Sequence, residues 1–296
     1  MRKGWTLIGA ITTVVVLCLA GLPLAREEST PNFADVRDED GERALSDQQR
    51  DDLLRRAEVF QPVRSQRTAL DAPPPDPTGS LSHDLVRCRF LPKAAGGTTP
   101  KFRCVLEDGE VIKVKYGGTG EVPAEVAASR LASALGFGAD RMYVVPTVRC
   151  YGCPRFPFHT VWALDTIGVS DFIARAVPDD RYVDFHWAAV ERHFEGDEIT
   201  ASTEGWSWYE LATVDPARGA SRAELDALRL LARFIGHWDN KAANQRLVCR
   251  PPGIAADGTC AAPFALMHDL GATFGPNKMD LESWRGHPIW ANRTEC

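Results

Sequence analysis

The sequence predicts an α+β domain, and three observations predict it. Short runs of alternating apolar and polar residues, Leu85–Leu91 and Lys101–Leu106, come first. A punctuated helix follows from Pro123 to Gly136. A second helix, from Ser221 to Gly236, delivers a polar loop that reads Gly236-His237-Trp238-Asp239-Asn240-Lys241-Ala242-Ala243-Asn244.

The first two strands flank Pro92–Pro100, a loop of glycine and hydroxyl residues with Gly96 and Gly97 at its middle. Glu107-Asp108-Gly109-Glu110 has Asp-Gly at its centre, the signature of a tight hairpin turn. It leads into Val111-Ile112-Lys113-Val114-Lys115-Tyr116, where period-two alternation points Lys113 and Lys115 to one face. In the first helix Pro123 suits a first-turn position and Gly136 the C-terminal cap, while Ala128, Leu131 and Leu135 share a face. Glu121 and Glu125 lie at its start. Tyr143–Val148 is predicted to be a strand, and Cys150-x-x-Cys153-Pro154 a constrained turn. Asp171–Arg175 and Tyr182–Val190 are too mixed in pattern to assign, and the aromatic run Gly205–Tyr209 is expected in the core. Ser221-x-x-Glu224 is a capping box, and Leu225, Leu228, Leu231 and Ile235 recur at helical spacing. Gln245–Cys249 and Phe264–His268 read as strands, the second running into Asp269-Leu270-Gly271.

Three of these segments, in this order, carry a resemblance. His237 to Asn244 has the form H-x-D-x-K-x-x-N, Asp269-Leu270-Gly271 is similar to D-F-G, and Val111–Val114 is similar to V-A-I-K. From about Leu85 to Gly275 the chain therefore resembles the atypical protein-kinase-like superfamily. Bacterial toxin-type, secretory-pathway and phosphoinositide kinases are the relatives it looks most like. The resemblance implies a small two-lobed fold. Its N-lobe would be an antiparallel sheet plus a helix (83–160), and its C-lobe mostly helical (161–296). It also implies a phosphotransferase that uses ATP with Mg or Mn. Phosphoryl transfer asks the protein for in-line positioning and charge cancellation rather than covalent chemistry. Asp239 would accept the proton of the attacking hydroxyl, and Lys241 would contact the transferred phosphate. Asn244 and Asp269 would supply hard oxygens to the metal. Lys113, with Lys115 in reserve, would face the nucleotide, and Glu125, with Glu121 second, would orient that lysine. Gly96 and Gly97 would lay backbone N–H groups over the phosphates. Only 25 residues follow Gly271, leaving no room for the long segment and A-P-E motif of eukaryotic-type protein kinases. The acceptor (protein, lipid or small molecule) stays open. The alternative reading is a pseudokinase scaffold that binds partners without turnover.

Composition narrows the field. Among the 296 residues, 44% are hydrophobic and 25% charged, as in ordinary globular domains. A net charge of −6 with no basic stripe argues against nucleic acid as a partner. Arg2 and Lys3 precede the apolar run Leu7–Leu24, the pattern of an export signal or, at this length, of an N-terminal membrane anchor (1–25). Residues 26–82 are polar and proline-rich and read as a linker, with one helix expected over Ser46–Val59 and capped by Ser46-x-x-Gln49. The chain is thus expected to be extracytoplasmic.

The cysteines agree with export. Seven follow Cys18, more than a reducing compartment usually carries, and disulfides are the leading reading. A zinc site from Cys150 and Cys153 with Cys249 and Cys260 is the weaker one, because the second pair is widely spaced. Cys249 and Cys260 are placed to close a loop. If Gly96 centres the first hairpin, Cys88 and Cys104 oppose each other and can bridge.

Overall fold

The computed structural model describes residues 25–26, 30–35, 43–63, 73–81, 83–166, 168 and 176–275. The apolar run Leu7–Leu24, Cys18, Cys296 and Asp171–Arg175 lie outside them. The described strands are β1 (Ala25–Arg26), β2 (Arg43–Ala44), β3 (Leu85–Leu91), β4 (Lys101–Leu106) and β5 (Val111–Lys115). They continue with β6 (Arg141–Tyr151), β7 (Arg181–Arg192), β8 (Asp197–Thr200), β9 (Gln245–Cys249) and β10 (Pro263–Met267). The helices are α1 (Asp47–Leu54), α2 (Glu121–Ala134), α3 (Pro157–Thr166) and α4 (Arg222–Phe234). No helix among the described residues is long and apolar enough to cross a membrane.

The α+β class holds, in two compact units. The first draws on Met1–Gly41, Asp71–Gly118 and Arg141–Phe194, and the second on Glu42–Leu70, Thr119–Asp140 and Glu195–Cys296. The units interleave in sequence. Helix α2 belongs with the second unit and strand β7 with the first, so neither follows a boundary near residue 160.

In the first unit β7, β5, β4, β3 and β6 pair in that order, and β6 pairs back onto β7 to close the sheet. Every contact in the ring is antiparallel except β3–β6, which is parallel and sets Cys88 opposite Cys150. Alternation sends Val86 and Phe90 inward, against Phe102 and Leu106 of β4 and Ile112 and Val114 of β5. Each such side chain stabilises the fold by about 1.5–3 kcal/mol. The alternation skips once on each long strand. Tyr143 and Val145 face inward on β6, then Val148 and Cys150; on β7 Phe185 does, then Ala188 and Val190. The skip falls between the pairs Val145↔Ala188 and Thr147↔His186. There Pro146 has no N–H to give a ladder, and Trp187 takes a φ of 54° and stands 72% exposed. This break hides the strand in the Tyr182–Val190 sequence.

The first hairpin corrects one register. Cys88 pairs with Leu106 and Phe90 with Cys104, so the hairpin centres on Gly97, not Gly96. Moving the centre by one residue moves each partner by two. The cysteines therefore keep a common face, and they bridge diagonally with Cα atoms 5.6 Å apart. Cys150–Cys153 and Cys249–Cys260 are bonded as well, so these four cysteines form two disulfides rather than a zinc site. Closing a loop of this length restricts the unfolded chain by about 3 kcal/mol. The double variant Cys88→Ser/Cys104→Ser is accordingly expected to lose about 3 kcal/mol in urea denaturation. An unchanged midpoint would show that the bridge adds nothing to the barrel.

The expected linker is partly built into the units. Arg192 is 8% exposed and bonded to Asp76, Glu110, Thr78 and Ser80. Tyr143 Oη donates to Pro75 O at 2.8 Å, so the proline-rich stretch is held against the first unit. In the second unit Ser46 and Gln49 form the capping box of α1. The helix stops at Leu54 because the chain beyond it is drawn into extended form, with Ala57 and Val59 buried and bridges Glu58↔Phe264 and Phe60↔Phe137.

The second unit departs from the mostly helical expectation. It carries the sheet β10-β9-β8-β2 beside α1, α2 and α4. Ser221 and Glu224 cap α4, and Leu225, Leu228, Leu231 and Ile235 are all buried. On α2 the buried stripe runs through Glu125, Ala128 and Ala132, which leaves Leu135 47% exposed. Trp206 is fully buried and donates Nε1 to Arg246 O at 2.9 Å, whereas Tyr209 is exposed.

Candidate functional site

The polar loop begins where α4 runs out. Gly236 takes a φ of 63°, a left-handed conformation that glycine adopts without penalty, and turns the chain back. His237 N donates to Ala232 O at 2.9 Å, and Phe274 N donates to Ile235 O at 2.7 Å. Trp238 N reaches Ala272 O at 3.4 Å. The loop and the chain just after Asp269-Leu270-Gly271 are thus fastened to one helix end.

A second set of bonds joins the expected metal ligands. Asn244 closes a short 3-10 turn, Ala242–Asn244, and its Nδ2 donates to Asp239 O at 2.6 Å. The carbonyl of Asn244 accepts from His268 N at 3.0 Å and from Asp269 N at 3.3 Å. Asp269 in turn accepts from Gly271 N on Oδ1 at 3.2 Å. With its nitrogen committed to a carbonyl, the Asn244 side chain offers Oδ1, a neutral hard oxygen, and Asp269 offers a carboxylate. That donor chemistry fits Mg or Mn. Leu270 is fully buried in the second unit's core, which accounts for an aliphatic residue between Asp269 and Gly271.

Asp239 is a third exposed, and Lys241 lies 3.4 Å from its Oδ2. Lys241 itself is 62% exposed, so this ion pair adds little to stability. Glu121 packs on Gly271: a Cβ there would lie 2.6 Å from Glu121 Cγ, so a glycine is needed at that point. Glu125 is 1% exposed on α2.

His237 is 5% exposed beneath the loop, and Gln245 Nε2 donates to its Nε2 at 3.3 Å. Burial lowers its pKa to about 4, against an upward pull from Asp269 and Asp239. A ring neutral in the fold but protonatable in the unfolded chain stabilises fully above its ordinary value of 6.5. That contribution is lost as pH falls from there towards about 4. We expect the wild type to lose about 3 kcal/mol more than His237→Gln over this window, as read by denaturation at stepped pH. Parallel pH curves would show that His237 titrates normally.

The first unit holds the lysines and the glycine loop. Lys113 and Lys115 lie on the outer face of β5, opposite in sense to Ile112 and Val114. Both share Glu191 of β7: Lys113 Nζ is bonded to Oε1, and Lys115 Nζ lies 3.2 Å from Oε2. Glu191 is 2% exposed and was missed in the sequence because it lies in the unassigned strand. In the β3–β4 loop Gly97 has a φ of 83° and Gly96 borders open space.

One more pair went unread. His268, beside Asp269, is bonded through Nδ1 to Asp140 Oδ2, and Asp140 is 1% exposed.

Compared with known proteins, the chain matches no family model, no curated protein and no solved structure.

Proposed function

We propose that this chain is an ATP-dependent phosphotransferase, an atypical kinase that works outside the cytoplasm or anchored at its outer face. The observation that carries this reading is the Asn244 node. One residue bonds the Asp239 carbonyl through its side chain and the Asp269 amide through its own carbonyl. The three residues the chemistry needs are thereby tied together, although Asp239 and Asp269 stand 30 positions apart in the chain.

Each residue then has a distinct task. Asp239 orients the acceptor hydroxyl and accepts its proton. Asn244 Oδ1 and the Asp269 carboxylate would hold the metal. When bound, Mg or Mn neutralises charge on the nucleotide phosphates. Lys241 reaches the transferred phosphate. On this reading Lys113 and Lys115, which share Glu191, and the Gly96–Gly97 loop are the first unit's candidates for nucleotide contacts.

The disulfides are compatible with an extracytoplasmic setting, where ATP is scarce. That setting favours one rival, a pseudokinase scaffold that binds partners without turnover. Thermal melts with ATP, with and without Mn, test the first step. Stabilisation by ATP only in the presence of metal is expected, and its absence would remove the kinase reading. The acceptor is a protein, lipid or small molecule, with nucleic acid disfavoured by the charge of −6.

A further inference from the structure

We infer that Asp140 and His268 form a positioning pair that holds the metal-binding carboxylate of Asp269 in place. The inference rests on the phosphotransferase reading and adds two residues to it. Neither belongs to any of the motifs that carried the resemblance.

Gly138 sets the approach of the chain to β10. A Cβ at this position would fall 2.4 Å from the Phe264 ring and 2.7 Å from Leu266 Cβ. Glycine therefore lets the chain that leaves α2 lie directly on β10. There Met267 N donates to Gly138 O at 3.3 Å, and Ala139 bridges Met267 in parallel. That register delivers Asp140 to His268, one residue past the end of β10. The Asp140 carboxylate is 1% exposed and accepts from His268 Nδ1–H. A buried carboxylate needs such a donor, because an unpaired charge in the interior is costly.

The pair fixes His268 from its side chain, while Asn244 O fixes it from its backbone N–H at 3.0 Å. The next residue is Asp269, whose own N–H reaches the same carbonyl at 3.3 Å. With His268 held at both ends, the peptide joining it to Asp269 has little freedom, and the carboxylate is presented in one direction. Partners that orient a metal ligand typically contribute 10–100-fold in metal affinity. A buried His–Asp pair with only a packing role would change melting temperature and leave that affinity alone.

The test measures free Mn by electron paramagnetic resonance as it is titrated into full-length protein with a non-hydrolysable ATP analogue. His268→Leu removes the donor. His268→Asn keeps an N–H near the Nδ1 position. Asp140→Asn keeps an acceptor oxygen but removes the charge. We expect Mn affinity to fall about 10–100-fold in His268→Leu, less in Asp140→Asn, and to stay within about threefold of wild type in His268→Asn. Should His268→Leu fail to fold, the other two variants decide the matter through the same order of affinities. Equal Mn affinity in all the folded variants would overturn the inference while leaving the phosphotransferase reading intact. A wild-type protein that binds no Mn with the analogue overturns that reading, and the inference with it.

Discussion

Asp239→Ala is expected to lower phosphoryl transfer from ATP by about 10²–10⁴-fold and to leave metal-dependent nucleotide binding within about twofold of wild type. The separation follows from which atoms of Asp239 do what. Its backbone carbonyl accepts from Asn244 Nδ2 at 2.6 Å, and truncation of the side chain does not touch that bond. Asn244 keeps its orientation, and so does the carbonyl that binds the amides of His268 and Asp269. The Asp239 carboxylate lies 3.4 Å from Lys241 Nζ, an exposed pair of small energetic weight. On the phosphotransferase reading, what is lost is the base beside the attacking hydroxyl. Single-turnover transfer and equilibrium binding, measured on the same preparation, give the two numbers. Undiminished turnover would show that Asp239 is not the base.

Asp269→Ala should act in the opposite sense, abolishing the dependence of ATP binding on metal. A carboxylate is the strongest ligand available here for a hard cation, and its loss is expected to exceed the 10–100-fold that outer partners contribute. Alanine also removes the acceptor for Gly271 N, now 3.2 Å from Oδ1, and so loosens the turn by about 1 kcal/mol. Asp269→Asn separates the two effects. Its amide oxygen can still accept from Gly271 while the charge is gone. Metal dependence should be lost in both variants, and the turn's stability only in the alanine form. Metal-dependent thermal stabilisation by ATP that survived in either would count against this ligand.

The parts of the fold legible in the sequence are those written locally. Ser221 and Glu224 sit three residues apart and bond each other across the first turn of α4, as Ser46 and Gln49 do on α1. Strand β3 alternates cleanly, and both β3 and β4 end where their sequence pattern ends. The polar loop and Asp269-Leu270-Gly271 were likewise readable, because each role falls within a few residues. The rest depends on partners far apart in sequence. Glu191 meets Lys113 across 78 residues, and Asp140 meets His268 across 128. A glutamate or aspartate with no local motif gives no sign of such a partner. The closed sheet was hidden for another reason. Its longest strand, β7, breaks its own alternation at Trp187, so its sequence carries no period to read. The helix α1 was overdrawn because helical spacing continues past Leu54 while tertiary bridges at Glu58 and Phe60 pull the chain into extended form.

The central claim is that Asp239, Asn244 and Asp269 together transfer phosphate. The most direct measurement is release or incorporation of label from ATP labelled on the γ-phosphate, with Mn, using the full chain in its disulfide-bonded form. Metal-dependent labelled phosphate, released to water or carried on the protein, is expected, and Asp239→Ala and Asp269→Ala should each remove it. Metal-dependent ATP binding with no labelled product in any condition would contradict it, and would make the chain a nucleotide-binding scaffold.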